Sequence, residues 1–367
     1  MTDRKLLIEN AIAEIDRSAT ARQREAGELY LKAISGDIRS KHTLQEGIST
    51  SDIPELLAPA INVQFLAQYA QYPTVWQDIV GDTINAPTLG GVEFGDFNFS
   101  AEDLIGEHNG EQFTGFGLPS VAEYGEYPAA NFDTEQLEAD LSKGGIRLRM
   151  SWESLVKLGN FDIIGRATSW FARKASEQED SKLARQFVTP AGVINAGFTT
   201  VTGNPALSLA SLETAIAQSS AATVDGAPLN PSSWKLVTAP GLSQTARNIL
   251  SITQVERTVG GDTYTIAPNT GGVSAVSFAG LSAVGGITNE WFLVPQGTAQ
   301  PAFVEIFLDG YRTPLITIKD SGHFTLGGGA VPARAGNFEV DDVETRGRHI
   351  VDAATVQLAG VMASNPA

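Results

Sequence analysis

"GNFEVDDVETRGRHIVDAAT", residues 336–355, decides how this chain is read. It crowds Asp341, Asp342, Glu344, Arg346, Arg348 and His349 into one short stretch. Such a stretch is either a catalytic or metal-binding segment, or a charged strand that pairs its ions along one face. On a strand, alternate residues share a face. Asp342, Glu344, Arg346, Arg348 and Asp352 then lie on one side, with Val343, Thr345, Gly347, His349 and Val351 on the other. The histidine is separated from the acids, and two arginines on the acidic face compete with any bound cation. The pattern predicts an ion-pair ladder, within the chain or between copies, rather than a metal centre.

Moving outward, "AFVEIFLDGYRTPLITIKDS" (residues 302–321) alternates on both sides of Asp309-Gly310, which predicts two strands around a turn. Residues 204–300 read as a compact α/β unit. "NPALSLASLETAIAQS" and "GLSQTARNILS" predict helices there, and "WKLVTAP" and "NEWFLVPQG" predict buried strands. Before this unit lies one long helix, beginning at Trp152 or Asn160 and ending at Phe187. Ile164, Ala167, Phe171, Ala175, Leu183 and Phe187 keep helical spacing, and Glu179 interrupts the stripe. Such a helix is about 40 Å long at 1.5 Å per residue. A narrow apolar stripe on so long a rod predicts a strut backing a sheet.

Residues 94–150 alternate only at their ends, around Phe94–Phe99 and Ile146–Met150. The middle is Gly, Pro, Glu and Tyr without a period. This predicts a long two-stranded loop, which is marginal in water unless a neighbour covers it. Its aromatics include Phe97, Phe99, Phe113, Phe116, Tyr124 and Tyr127, yet no Lys or Arg occurs between Asp96 and Asn131. Without cations to meet phosphates, base stacking is disfavoured. Aromatics on an acidic loop suit protein–protein contact.

At the N-terminus, residues 3–34 predict a helix, with Ile8, Ile12, Ile15 and Ala19 on a narrow apolar stripe. That stripe lies either on a neighbouring domain or on another subunit. From Gly36 to Pro59, prolines and scattered Ser and Thr predict an extended tether, followed by a helix at about residues 63–72.

Composition narrows the function. Of the 367 residues 42% are hydrophobic and 18% charged, which is folded composition. There is no cysteine, so disulfides, thiolate nucleophiles and Cys-ligated metals are excluded. The net charge of −17 opposes avid binding to nucleic acid phosphates. The charged N-terminus is not a signal peptide, and "VSAVSFAGLSAVGGI" is too short and too rich in Gly and Ser to span a bilayer. His42, His108, His323 and His349 lie far apart, and neither H-E-x-x-H nor G-x-S-x-G occurs. "LGGGAVPAR" and "TGFGLP" lack the rest of any phosphate-binding fingerprint and read as turns. No catalytic, cofactor or metal residue is assigned.

The order of parts resembles the major capsid protein of tailed bacteriophages, the Hong Kong 97-type fold. "GEYPAANFDTEQLEADLSKGGIRLRMSWESL" is similar to the end of that family's extended loop and its strand into the spine helix. "FLDGYRTPLI" and "GNFEVDDVETRGRHIVDAATVQLAGVMAS" are similar to its closing peripheral-domain strands. The resemblance implies an α+β protein with an N-terminal arm (1–95), an extended loop (96–150), a peripheral domain with a spine helix (151–203 and 301–367) and an axial domain (204–300).

It also implies a structural, non-enzymatic shell protein without cofactors. Hexamers and pentamers would enclose double-stranded DNA, beside portal, scaffolding and decoration proteins, in a virion assembled from chains made in the host cytoplasm. Some members carry a cleaved N-terminal scaffolding segment; the short arm here leads us to expect none. Lys143 sits at the base of the loop and gives no basis for the Lys–Asn crosslink of some members. The expected intersubunit residues are the loop aromatics Phe97, Phe99, Phe113, Phe116, Tyr124 and Tyr127, and the ladder Asp342, Glu344, Arg346 and Arg348. The alternatives are an encapsulin-like nanocompartment shell and a soluble acidic hydrolase.

Overall fold

The computed structural model of the chain describes residues 2–34, 37, 39–40, 53–98, 104–105, 129–130, 133–151, 160–224, 227–259, 262–298, 300–319 and 342–366. It divides into two compact units. Unit 1 comprises residues 1–74, 142–178 and 309–351; unit 2 comprises residues 75–141, 179–308 and 352–367.

In unit 1 the N-terminal region forms two helices, Thr2–Ser18 and Ala21–Ile34, rather than one. The break has a local cause. Gln23 N–H donates to Thr20 Oγ1 at 3.3 Å, and Thr20 N–H donates to the Gln23 side chain at 2.8 Å. This reciprocal capping starts a new helix at Thr20. Both helices pack on a third, Ile53–Gln71. That third helix begins well before residue 63 and overrides the extended tether expected up to Pro59. Pro54 stands in its first turn, where a missing N–H costs nothing, and Pro59 is accommodated inside it. Phe65, Leu66 and Tyr69 of this helix are buried with Ile8, Phe171, Ala172 and Ala175, and Ile12 and Ile15 pack at the margin. The stripe of the first helix is therefore covered by its own chain.

The sheet of unit 1 is built on the long closing strand, Asp342–Thr355, whose residues 342–351 belong here. One edge pairs antiparallel with Lys143–Ser151, with Thr345 opposite Leu148 and Gly347 opposite Ile146. The other edge pairs antiparallel with Leu315–Ile318. Gly347 is required by packing: a Cβ there would lie 2.3 Å from the Phe171 ring, so only glycine lets that ring lie flat on the strand.

In unit 2 the sheet Val273–Ser277, Ser233–Thr238, Trp291–Gln296, Met362–Ser364, Thr199–Thr200 runs in that order. Helices Leu209–Ser220 and Ser243–Leu250 contribute Leu212, Ala215, Ile216, Ala246 and Ile249 to the core it shares with Leu236, Trp291 and Leu293. Ser208 and Ser211 form a reciprocal cap on the first of these helices. The two helices and the strands Ser233–Thr238 and Trp291–Gln296 fall where the sequence places them, and the sheet also takes in Thr199–Thr200 and Met362–Ser364 from outside 204–300.

A second centre of unit 2 is aromatic. Phe187, at the end of the long helix Asn160–Phe187, stacks on Phe303 at 4.6 Å between centroids and meets Phe198, Phe278 and Phe292 edge-on. Such pairs each add about 0.5–1.5 kcal/mol beyond area burial.

Two strand expectations change. Phe303–Leu308 does not form a hairpin with Leu315–Ile318. It is buried at every position and pairs in parallel with Asp82–Ala86. A strand covered on both faces loses the alternation of a half-exposed one. In the loop region, Gly90–Asn98 pairs antiparallel with Asp133–Leu141, and Leu104–Ile105 with Ala129–Ala130. A two-stranded arrangement is present as expected, but its returning arm is Asp133–Leu141. The alternating 146–150 segment belongs instead to the sheet of unit 1. "DTEQLEADL" is rich in helix formers; pairing with Gly90–Asn98 overrides that preference.

Candidate intersubunit face

The ladder in unit 1 is not an acidic surface. Asp342 and Glu344 keep only 8% of their side-chain area exposed, whereas Arg147 and Arg149 keep 60% and 54%. Arg149 Nε donates to Asp342 Oδ2 at 2.5 Å and lies 3.2 Å from Glu344 Oε1. Arg147 lies 3.6 Å from Glu344, and Lys319 reaches its other oxygen at 3.2 Å. The hydrogen bond to Asp342, then the charges of Asp342 and Glu344, raise the pKa of the Arg149 guanidinium. The two flanking segments thus supply cations over two nearly hidden carboxylates. What faces outward is Arg147, Arg149, Lys319 and the exposed Arg346.

The register makes this arrangement possible. Glu344 lies opposite Arg149 and Arg346 opposite Arg147 across one edge, and Thr317 lies opposite Arg346 across the other. Exposed ion pairs add little stability, typically below about 1 kcal/mol each. Their effect is to fix register and to present positive charge from a chain whose net charge is −17.

On the opposite face of the strand, His349 is 3% exposed and meets the Tyr69 ring edge-on at 5.9 Å. The acids and the histidine therefore lie apart, as the alternation predicts. Among the described residues no group of three or more His, Cys, Asp or Glu side chains is placed to hold a metal ion.

On the His349 side of the strand is a cavity of about 230 Å³ in unit 1. Phe65, Ile146, Trp170 and Phe171 form its apolar wall, and Lys174 and Arg348 stand on its lining. Arg348 is half-buried and lies over the Tyr311 ring, 5.4 Å from its centroid, a cation–π arrangement. Tyr311 is half exposed and Ile146 nearly so. An apolar hollow rimmed by cations suits an aromatic, acidic segment.

Of the expected contact residues, Asp342, Glu344, Arg346 and Arg348 come together here. Phe97 lies in the strand Gly90–Asn98 of unit 2, opposite Thr134. Phe99, Phe113, Phe116, Tyr124 and Tyr127 lie outside the described residues, as do His42, His108, His323 and both glycine-rich turns. Sequence reasoning missed the cations that cover the acids. Arg147 and Arg149 alternate visibly in "IRLRM", but nothing local says which strand they face.

The phage capsid protein family matches residues 134–362, which include the closing strand, the long helix and the whole α/β unit. The chain belongs to that family. It is a capsid shell protein, of α+β class as the resemblance implied, and a component of the virion. A search of curated proteins returns no match. Among solved structures, a chain from Mycobacterium phage Patience is 13% identical over 87% of this chain and 89% of its own, with TM-score 0.45. One from Gordonia phage Cozz is 14% identical over 79% and 87%, with TM-score 0.41. The holo-SrpI encapsulin complex from Synechococcus elongatus PCC 7942 is 9% identical over 77% and 84%, with TM-score 0.43. No helix among the described residues is long and apolar enough to cross a membrane.

Proposed function

We propose that copies of this chain assemble as hexamers and pentamers into a closed icosahedral shell around double-stranded DNA, with no catalytic step of their own. The observation that carries the reading is the cationic face of unit 1, set on a strongly acidic chain. Between Lys41 and Lys143 the sequence holds no Lys or Arg, and its 17 carboxylates equal in number the whole net negative charge. A neighbour's 99–128 segment supplies acidic groups for Arg147, Arg149, Lys319 and Arg346, and its Phe99, Phe113, Phe116, Tyr124 and Tyr127 supply aromatic contact area. The four-part division into arm, extended loop, peripheral and axial domains belongs to the same reading.

Energetically, obligate interfaces bury about 2,000–5,000 Å². At about 25 cal/mol per Å² of apolar area, burial offsets the entropy of ordering a long loop. The charges select register and partner more than they add strength. The remaining negative charge keeps packaged DNA from adhering to the wall. Portal, scaffolding and decoration proteins would meet the same shell.

The test is electron microscopy of particles formed by the full chain in phage-producing cells, with nuclease digestion of their surroundings. Closed shells holding nuclease-protected DNA support the reading. Shells holding a protein cargo instead would mark a nanocompartment, and monomers with hydrolytic turnover would overturn the shell assignment.

A further inference from the structure

Glu305 stands at the centre of the fully buried strand Phe303–Leu308, with none of its surface exposed. Among the described residues, neither of its carboxylate oxygens has a hydrogen-bond partner. Around it, unit 2 gathers more negative charge than positive. The long helix brings Glu179, Asp180 and Lys182, and the end of the closing strand brings Asp352. The parallel neighbour Asp82–Ala86 places Thr83, which does not ionise in water, opposite Glu305 in register.

The other acids are engaged. Glu179 accepts from the Trp76 indole N–H at 2.9 Å, and Asp180 accepts from the backbone N–H groups of Val75 and Trp76 at 2.9 and 3.0 Å. Asp352 pairs with Lys182 at 2.9 Å. Among the described residues nothing comparable meets Glu305. An ionised carboxylate without partners in such a place is far more costly than a neutral acid.

We propose that Glu305 is a proton-binding site of unit 2 that holds a proton the unfolded chain gives up, so that the chain's stability falls as pH rises. Burial first, then the charges of Glu179, Asp180 and Asp352, hold this carboxyl well above the usual carboxylate range, while Lys182 acts in the other direction. The folded chain keeps the proton over a range in which an unfolded glutamate, titrating near 4.3, has lost it. The unfolded state then binds fewer protons, so stability falls as pH rises through that window and levels off above it. The inference concerns the fold of one chain and does not depend on what the shell encloses.

The test is thermal unfolding of the full chain from mildly acidic to alkaline pH, comparing wild type with Glu305→Gln, which keeps the shape but cannot ionise. The wild-type folding equilibrium constant should fall by up to about tenfold more per pH unit than that of the variant. Parallel curves would overturn the proposal. Should Glu305→Gln fail to fold, two further measurements decide. Asp352→Asn, which removes one negative charge that helps Glu305 keep its proton, should make the fall in stability level off at lower pH; an unmoved end point counts against the proposal. Infrared spectroscopy of wild type at neutral pH should show a protonated, poorly hydrogen-bonded carboxyl band, and its absence counts against it equally.

Discussion

Arg149 and Asp342 form a hydrogen-bonded ion pair at 2.5 Å in which the cation is half exposed and the anion nearly hidden. The asymmetry turns an acid-rich strand into a surface that reads as positive. Glu344 is the hub of the same arrangement, touching Arg147, Arg149 and Lys319.

Glu344→Gln should therefore separate stability from assembly. It removes attraction for three exposed cations, each pair contributing below about 1 kcal/mol. Thermal unfolding of the isolated chain should shift little, while particle yield measured by sedimentation should fall because the register of the cationic face is loosened.

Trp76→Phe should destabilise unit 2 by about 1–3 kcal/mol, because Glu179 loses its indole donor inside the core. Denaturant titration reads this directly. An unchanged midpoint would mean that the hydrogen bond contributes nothing net.

Phe187→Ala removes the ring at the centre of four other phenylalanines. A loss of about 3–5 kcal/mol is expected. Phe187→Leu should cost less, since it refills most of the volume.

Gly347→Val tests the close approach of Phe171 to the closing strand. The added side chain would meet the ring well inside contact distance, so overpacking should cost about 1–3 kcal/mol. Pairing it with Phe171→Ala should recover part of the loss, as a double-mutant cycle would show.

Much of this was legible in the sequence. The long helix ends at Phe187 as its spacing predicts, and the two helices and two strands read between 204 and 300 fall where their patterns place them, whereas the strands Val255–Val259, Asp262–Ile266 and Val273–Ser277 and the helix Ala279–Gly285 went unread. The alternation of 342–352 put the acids and His349 on opposite faces. Three features were hidden for physical reasons. Glu179 reads as a break in an apolar stripe because its donor, Trp76, lies more than a hundred residues away. Phe303–Leu308 reads as one arm of a hairpin because a strand buried on both faces shows no polar side. Asp133–Leu141 reads as nothing in particular, since its helix-forming residues contradict the strand that pairing imposes. The character of the ladder was half legible: its charges are plain, but the cations covering them come from a strand about two hundred positions earlier.

The most direct test of the central claim is a cryo-electron microscopy map of the assembled particle at a resolution that traces side chains. The account predicts that residues 99–128 of one copy lie over Arg147, Arg149, Lys319 and Arg346 of a neighbour. A map in which that segment folds back onto its own copy, leaving the cationic face to solvent in every subunit, would contradict it.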